Sequence, residues 1–187
     1  MTGEGRASMV SDPESGGPRA NLEIKARCAD LDAARARASR IATQRVGVDR
    51  QVDTYFRTRS GRLKLRESSL CGGQLVPYLR PDERGPKLAD YRVVPVEDPR
   101  GLKALLTEIL GVHRVVEKQR EIFLYENVRI HLDRVKGLGS FLEFEAVFDG
   151  SRGALAEQRR KLDFLMEEIG VREEDLVSAS YEGLMED

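Results

Sequence analysis

The sequence predicts an α+β domain in which a closed, eight-stranded antiparallel barrel carries helices packed on its outside. Eight segments alternate apolar and polar residues with the period of two that is typical of strands. Turn-forming sequences such as Ser60-Gly61 separate neighbouring segments, as expected for antiparallel hairpins. The 187 residues suit one domain with a substantial core, and nothing in their layout requires two.

The composition excludes several classes of protein. Lys and Arg number 31 and Asp and Glu 32, so the net charge of -1 argues against a general nucleic-acid or membrane surface. Apolar runs are too short to span a bilayer, and the N-terminus lacks a basic region followed by an apolar one. Cys28 and Cys71 show no metal-binding spacing. We therefore expect a reduced, cytoplasmic protein with neither nucleic acid nor membrane as a partner.

The first 20 residues are the part of the chain least suited to folding. They are rich in Gly, Ser, Glu and Pro and offer almost nothing to bury. Residues 1–20 are therefore predicted to form a disordered leader, and residues 21–187 a single domain.

The first strand is predicted at residues 21–27. Its polar residues all fall on one face, and its aliphatic residues fall on the other. These polar residues are Asn21, Glu23 and Lys25. Asp30 then resembles an N-cap, and the helix that follows it is predicted to end near Gly47.

Four strands and a helix are predicted in the middle of the chain. The strands cover residues 51–57, 62–67, 74–80 and 89–94. Pro77 suggests an edge or a bulge in the third of them. The helix begins at Asp98-Pro99 and ends at Gly111.

The last three strands are followed by helices. The strands are predicted at residues 115–124, 128–133 and 141–148, and the helices at residues 153–169 and about 176–185. The count is then eight strands and three or four helices.

Charges on the polar faces are segregated by strand. In one strand, Arg62, Lys64 and Arg66 alternate with leucines. Three other strands contribute further cations, which are Arg80, Arg92, Lys118 and Arg120, and the last strand carries Glu143 and Glu145. A single solvated strand face alternates by default, but such faces usually mix charges of both signs. Segregation of positive and negative side chains across many strands favours a bound ligand of complementary charge.

A polyphosphate with metal ions satisfies both sets of charges. A triphosphate carries about four negative charges and needs several Arg or Lys donors from different directions. Carboxylates in the same cavity would repel that anion unless Mg²⁺ or Mn²⁺ lay between them. We therefore expect the charged faces to point into a tunnel that binds a polyphosphate.

The motifs resemble the CYTH domain, the family of triphosphate tunnel metalloenzymes that includes class IV adenylyl cyclases, thiamine triphosphatases and inorganic triphosphatases. The resemblance is carried by NLEIKA, RLKLR, EKQR, IHLD and FLEFE, and it extends to SYEGLM near the C-terminus. The segments QVDTYF, GRLKLRE and LDRVKGLGSFLEFE are most similar to the cyclase-like branch.

The resemblance implies roles for individual residues. The implied metal ligands are Glu23, Asp133, Glu143 and Glu145. The implied phosphate-binding residues are Lys25, Arg62, Lys64, Arg66, Arg80, Arg92, Lys118 and Arg120, with Arg62 near the mouth of the tunnel. Residues expected to assist catalysis are Lys25, Lys64, Lys118 and Asp133. Asn21 departs from the family, which usually has a glutamate there, and a neutral amide should weaken a second metal position.

Three functions remain open at this point. A class IV adenylyl cyclase-like enzyme would convert ATP to cyclic AMP and pyrophosphate. A triphosphatase acting on ATP, inorganic triphosphate or thiamine triphosphate would release orthophosphate. The third hypothesis is a non-catalytic nucleotide- or polyphosphate-binding module. Both enzymes would use Mg²⁺ or Mn²⁺, and the sequence is compatible with a homodimer without indicating one.

Overall fold

The computed structural model describes residues 19–79, 87–148 and 152–185, which form an antiparallel sheet and its helices. The strands are β1 (Arg19–Arg27), β2 (Gln44–Phe56), β3 (Arg62–Ser68), β4 (Gly72–Leu79), β5 (Lys87–Tyr91), β6 (Val94–Val96), β7 (Val112–Tyr125), β8 (Val128–Val135) and β9 (Gly139–Phe148). The helices are α1 (Leu31–Ile41), α2 (Pro99–Leu110), α3 (Arg152–Ile169) and α4 (Tyr181–Leu184), with a 3₁₀ helix at Glu173–Asp175. The predicted leader falls mostly outside the described residues.

All strand pairs are antiparallel, in the order β3-β2-β7-β8-β9-β1-β5-β4-β6. In addition, β3 pairs with β4 along its whole length, from Arg62 opposite Tyr78 to Ser68 opposite Gly72. Each strand other than β6 therefore has a hydrogen-bonded neighbour on both sides. The predicted antiparallel sheet with helices is confirmed.

The sheet differs from the prediction at two places. The described residues form nine strands instead of eight, because the short strand β6 pairs with β4 after β5 has ended at Tyr91. The predicted helix end near Gly47 is wrong, since α1 ends at Ile41 and β2 already begins at Gln44. Gly47 has φ +138 and lies at a register shift between β2 and β7. A glycine suits a strand bulge as well as a helix end, so the residue type alone could not distinguish between these two structures at position 47.

The apolar face of the sheet packs against α1 and α3. Strand residues in this core are Leu22, Ile24, Phe123, Val128, Ile130, Leu132, Leu142, Phe144 and Ala146. Helix residues in it are Leu31, Ala34, Ala38, Leu162, Leu165 and Ile169. Because successive strand residues point to opposite faces, the polar residues between these positions are all turned away from the helices.

Local signals define the helix starts. The Asp30 side chain accepts hydrogen bonds from the backbone N–H groups of Asp32 and Ala33 and so caps α1. Asp98 caps α2 in the same way through Gly101, as the sequence predicts. Among the described residues, no helix combines the length and the apolar character that crossing a bilayer requires.

The core between α3 and the sheet can be tested by truncating one side chain. Leu165 is fully buried, so Leu165→Ala should lower the free energy of unfolding by about 2–5 kcal/mol, because it removes apolar contacts and leaves a cavity. Leu155→Ala on the same helix is the matched control, since Leu155 is 37% exposed and should cost only about 0.5 kcal/mol. Denaturant unfolding of both variants measures the difference, and equal losses would contradict this packing.

Candidate functional site

The face of the sheet turned away from α1 and α3 carries a dense group of charged and polar side chains. We call this group the charged face. Its members are Asn21, Glu23 and Lys25 on β1, Asp49, Gln51 and Asp53 on β2, Lys64 and Arg66 on β3, Lys118 and Arg120 on β7, His131 and Asp133 on β8, and Glu143 and Glu145 on β9. Most of them are buried, including Asp133, which is 0% exposed. Charges buried at this density must compensate one another.

Asp53 is the shared partner of three cations. Its carboxylate accepts hydrogen bonds from Arg66 Nε at 2.7 Å and from Arg66 Nη2 at 2.9 Å. Lys118 Nζ lies 2.7 Å and Lys64 Nζ 3.4 Å from Asp53 Oδ2. Burial alone would raise the pKa of Asp53, but the three positive charges outweigh it and hold that pKa well below its usual value. Asp53 is therefore ionised at neutral pH.

Asp133 holds Arg120 in a fixed orientation. The guanidinium donates from Nε to Oδ1 at 2.7 Å and from Nη2 to Oδ2 at 2.6 Å. The hydroxyl of Tyr181 also donates to Asp133 Oδ2, at 2.6 Å. Arg120 Nη2 lies 3.3 Å from Glu143 Oε2, so this arginine joins β8 and β9. Such a bidentate pair restricts Arg120 more than a single contact would.

The acidic side of the charged face is formed by β1 and β9. Lys25 Nζ donates to Glu143 Oε2 at 2.7 Å, and Asn21 Nδ2 donates to Glu145 Oε1 at 2.5 Å. Glu23 is half-buried and lies opposite Glu145 in the strand register. The predicted metal ligands of these two strands are thus neighbours.

Among the described residues, three buried side-chain atoms have no hydrogen-bond partner, and all three belong to the charged face. They are Asn21 Oδ1, Gln51 Oε1 and His131 Nδ1. Burial, and then the charge of Arg120, lowers the pKa of His131 below its ordinary value, so the imidazole is neutral at neutral pH. Buried acceptors without donors are rare and call for an explanation.

The acidic side has the donor chemistry for a hard divalent cation. The unpartnered oxygen of Asn21 belongs to the amide that contacts Glu145, and carboxylate and amide oxygens are the ligands that Mg²⁺ and Mn²⁺ prefer. In the described parts of the chain, however, no three His, Cys, Asp or Glu side chains are already arranged as a metal cluster. The carboxylate and amide oxygens of the acidic side are of the kind that binds such an ion. Asp133, by contrast, already accepts hydrogen bonds from Arg120 and Tyr181.

Two lysines of the charged face have strongly lowered pKa values. Burial, followed by the charge of Arg66, lowers the pKa of Lys64 to about 8 despite the nearby Asp53. Burial is also the main reason why the pKa of Lys118 falls to about 7. Both side chains can therefore change protonation near neutral pH, and a nearby anion would favour their charged forms.

The C-terminal helix α4 covers one end of the charged face. The ring centroid of Tyr181 lies 4.0 Å from Lys25 Nζ and 5.7 Å from Lys118 Nζ, and the ring contacts Phe141 edge-on. Arg62 Nε, at the start of β3, donates to Glu182 Oε1 at 2.7 Å. Arg62 thus lies at the end that α4 covers.

The structure gathers most of the residues that the sequence singled out. Lys25, Lys64, Arg66, Lys118, Arg120, Asp133 and Glu143 share buried ion pairs or Coulombic contacts. Arg92 is different, because it lies exposed between β5 and β6. Arg80 lies outside the described residues.

Two central residues were missed by the sequence analysis. Asp53 lies two residues after Gln51 and therefore on the same face of the strand. The alternation that identified the cations could also have identified Asp53. Tyr181 comes from a helix more than 40 residues beyond Asp133. No local sequence pattern indicates that Tyr181 contacts Asp133.

Sequence and structure comparisons show related proteins. The family model of the CYTH domain matches residues 19–181. The PH1012 protein of Pyrococcus horikoshii OT3 has 23% sequence identity and a TM-score of 0.76, covering 89% of this chain and 99% of that one. A candidate adenylate cyclase of Vibrio parahaemolyticus has 24% identity and a TM-score of 0.73, covering 88% and 96%.

A more distant structure has a similar fold. It is a candidate adenylyl cyclase of Hippeastrum described as having a dominant triphosphatase activity, with 12% identity and a TM-score of 0.57 over 89% of this chain and 94% of that one. None of the curated proteins matches the chain in sequence. At these identities, the solved structures establish the fold.

The lowered pKa of Lys118 predicts how stability depends on pH. An unfolded lysine binds a proton up to about pH 10.4, whereas folded Lys118 releases it near pH 7. The unfolded state therefore binds more protons above pH 7, and Lys118 makes the free energy of unfolding rise from pH 7 towards pH 9. Lys118→Met should flatten that rise, as measured by denaturant unfolding across this range.

Lys136→Met is the matched control for this measurement, because Lys136 is a lysine with a largely exposed side chain. Its pH profile should follow that of the unmodified protein. A Lys118→Met profile as steep as that of the control would contradict the assignment to Lys118.

Proposed function

Because the chain belongs to the CYTH domain family, we propose that it is a metal-dependent enzyme acting on a triphosphate bound along the charged face. The observation that carries this proposal is the convergence of five buried or half-buried cations from three strands. They are Lys25, Lys64, Arg66, Lys118 and Arg120. A neutral or singly charged ligand would not need so many positive charges in one place.

We further propose that the charged face lines a closed tunnel. The pairing of β3 with β4 supports this, because it joins the two strands that would otherwise lie near the ends of the strand order. The burial of Lys118 and Arg120 supports it too, since long cationic side chains on an open sheet would reach solvent. A tunnel would surround a polyphosphate chain with donors from several directions.

The charges of the two sides suit the two parts of a metal triphosphate. On the side of β2, β3 and β7, three cations share the single carboxylate of Asp53, which leaves an excess of positive charge for phosphate oxygens. On the side of β1 and β9, three carboxylates lie close together, with Lys25 and Arg120 near Glu143 and Arg129 near Glu145. Both sides are desolvated, so charge-assisted hydrogen bonds to a ligand would be strong.

We assign the metal to the acidic side. Glu143 and Glu145, with Glu23 and the amide oxygen of Asn21, would hold Mg²⁺ or Mn²⁺. When bound, such an ion would neutralise phosphate charge and orient the phosphate chain. The protein side chains then have two tasks, which are to bind the three phosphates and to stabilise the charge that develops in the transition state.

Two reactions are compatible with these groups. The leading proposal is a class IV adenylyl cyclase-like reaction, in which the ribose 3′-hydroxyl attacks the α-phosphorus and pyrophosphate leaves. The second is hydrolysis of ATP, inorganic triphosphate or thiamine triphosphate, in which water attacks the terminal phosphorus and orthophosphate leaves. Both reactions would use the same Lys and Arg side chains. We keep hydrolysis as an alternative because the structurally similar Hippeastrum protein is described as having a dominant triphosphatase activity.

Product analysis tests the proposal directly. The protein is incubated with ATP, inorganic triphosphate or thiamine triphosphate in Mg²⁺ or Mn²⁺. Cyclic AMP with pyrophosphate would support the cyclase, and orthophosphate would support the triphosphatase. Intact substrates together with tight binding would indicate the non-catalytic module, and intact substrates without binding would refute the proposal.

Arg66→Met tests whether a triphosphate binds at the charged face. Loss of one charge-assisted contact should weaken triphosphate binding about 10- to 100-fold. Exposed Lys136→Met removes one positive charge elsewhere and should leave binding within twofold. Calorimetric titration measures both variants, and equal affinities would exclude Arg66 from the site.

Asn21→Glu tests the assignment of the metal. An added carboxylate beside Glu145 should raise the affinity for Mn²⁺ about tenfold, because a charged oxygen replaces a neutral one. Without metal, the same variant should unfold at a lower temperature, since two carboxylates then repel each other and the Asn21 hydrogen bond is lost. Calorimetry and thermal unfolding with and without Mn²⁺ measure both effects. If Asn21→Gln behaves like Asn21→Glu, charge at this position is irrelevant and the assignment fails.

A further inference from the structure

The Gln51 side chain presents a buried acceptor that deprotonated phosphate groups cannot satisfy. Gln51 is 5% exposed and belongs to the charged face. Its Nε2 donates to Asp49 Oδ2 at 2.6 Å, while its Oε1 has no partner among the described residues. This oxygen is thus desolvated and still able to accept a hydrogen bond.

The orientation of the Gln51 amide follows from its neighbour. An ionised carboxylate only accepts hydrogen bonds, so the amide must turn its NH₂ group towards Asp49. Asp49 is itself fixed by Ser68 Oγ at 2.8 Å, Ser69 Oγ at 2.9 Å and the Leu70 N–H at 3.2 Å. With the carboxylate held by these donors, Oε1 is directed away from Asp49.

Gln51 lies next to the cations that would bind phosphates. In the strand register it is opposite Lys118 of β7 and opposite Ser68 of β3. Residues directly opposite on neighbouring antiparallel strands have Cβ atoms about 5 Å apart. Asp53, which binds Lys118, is the next residue of β2 on the same face. A ligand whose phosphates contact Lys118 would therefore bring its next group close to Gln51.

Phosphate oxygens and the Gln51 oxygen are all acceptors, so an inorganic triphosphate that is fully deprotonated by binding a divalent cation offers Oε1 no hydrogen. A hydroxyl or amino group on an organic substituent does. Resting on the proposed function, we infer that Gln51 Oε1 accepts a hydrogen bond from an O–H or N–H group of a nucleoside triphosphate. Gln51 is then a specificity-determining residue that favours organic triphosphates over inorganic triphosphate.

Gln51→Met tests this inference with little change in side-chain volume. It should weaken binding of a non-hydrolysable ATP analogue about tenfold, because one buried hydrogen bond is lost. Binding of methylene-bridged inorganic triphosphate, whose bridges carry no N–H or O–H group, should stay within twofold. Ser69→Ala is the matched control, since it also removes one donor from Asp49 but keeps the Gln51 oxygen, and it should change neither affinity. Calorimetric titration measures all three proteins.

A second measurement keeps the inference testable if Gln51→Met does not fold. The unmodified protein is titrated with ATP analogues that lack the 2′-hydroxyl, the 3′-hydroxyl or the 6-amino group. One of these should bind about tenfold more weakly than ATP itself. Where Gln51→Met folds, that analogue and ATP should bind to the variant with equal affinity, because the missing donor has no acceptor there.

The remaining outcomes separate the two proposals. Equal losses for the organic and the inorganic ligand in Gln51→Met would mean that Gln51 only supports Asp49, which overturns the inference. ATP analogues that all bind as tightly as ATP would overturn it as well. In both cases the proposed function would stand, since triphosphate still binds, whereas failure of every triphosphate to bind the unmodified protein would refute the proposed function.

Discussion

The shared carboxylate of Asp53 is the interaction on which the charged face depends. Lys64, Arg66 and Lys118 come from two strands on either side of β2, and all three would repel one another in a buried setting without a common counter-charge. One negative charge does not fully compensate three positive ones. The lowered pKa values of both lysines express this deficit, since burial and neighbouring cations disfavour their charged forms. An incompletely compensated cluster can exchange its internal partner for an external anion.

The two faces of the sheet have different roles, since the apolar face mainly stabilises the fold and the charged face forms the candidate site. Its apolar face and the helices α1 and α3 supply the larger hydrophobic core. The other face adds only a smaller apolar cluster, which includes Phe141 and Tyr181 at the end that α4 covers. Polar side chains can then accumulate on that face if they satisfy one another. Arg120 joins its two halves, because it binds Asp133 bidentately and also approaches Glu143 on the acidic side. Pairs of this kind fix the positions of charges more than they add to stability.

The C-terminal residues complete the site from a distance in sequence. Tyr181 contacts the two lysines Lys25 and Lys118 with its ring and Asp133 with its hydroxyl. A single side chain thus touches a cation of β1, a cation of β7 and a carboxylate of β8. Burial raises the pKa of Tyr181 well above its usual value, and Asp133 adds to this, so the hydroxyl remains a donor. The ring also limits how far the lysine ammonium groups can move, because cation–π contacts hold them near its face.

The alternation of residues along a strand is a local property, and for that reason the sequence by itself placed several of the cations on the charged face. Lys64, Arg66, Lys118 and Arg120 were assigned to it from alternation alone, and the antiparallel sheet with outer helices followed from the same pattern. Partnership is not local. Only the tertiary structure decided that Asp53 would be shared by three cations, that Tyr181 would reach Asp133, and that exposed Arg92 would stand apart from the buried group. Gly47 shows the same limit at the level of the backbone, since its conformational freedom suits a helix end or a bulge, and the pairing of β2 with β7 selected the bulge.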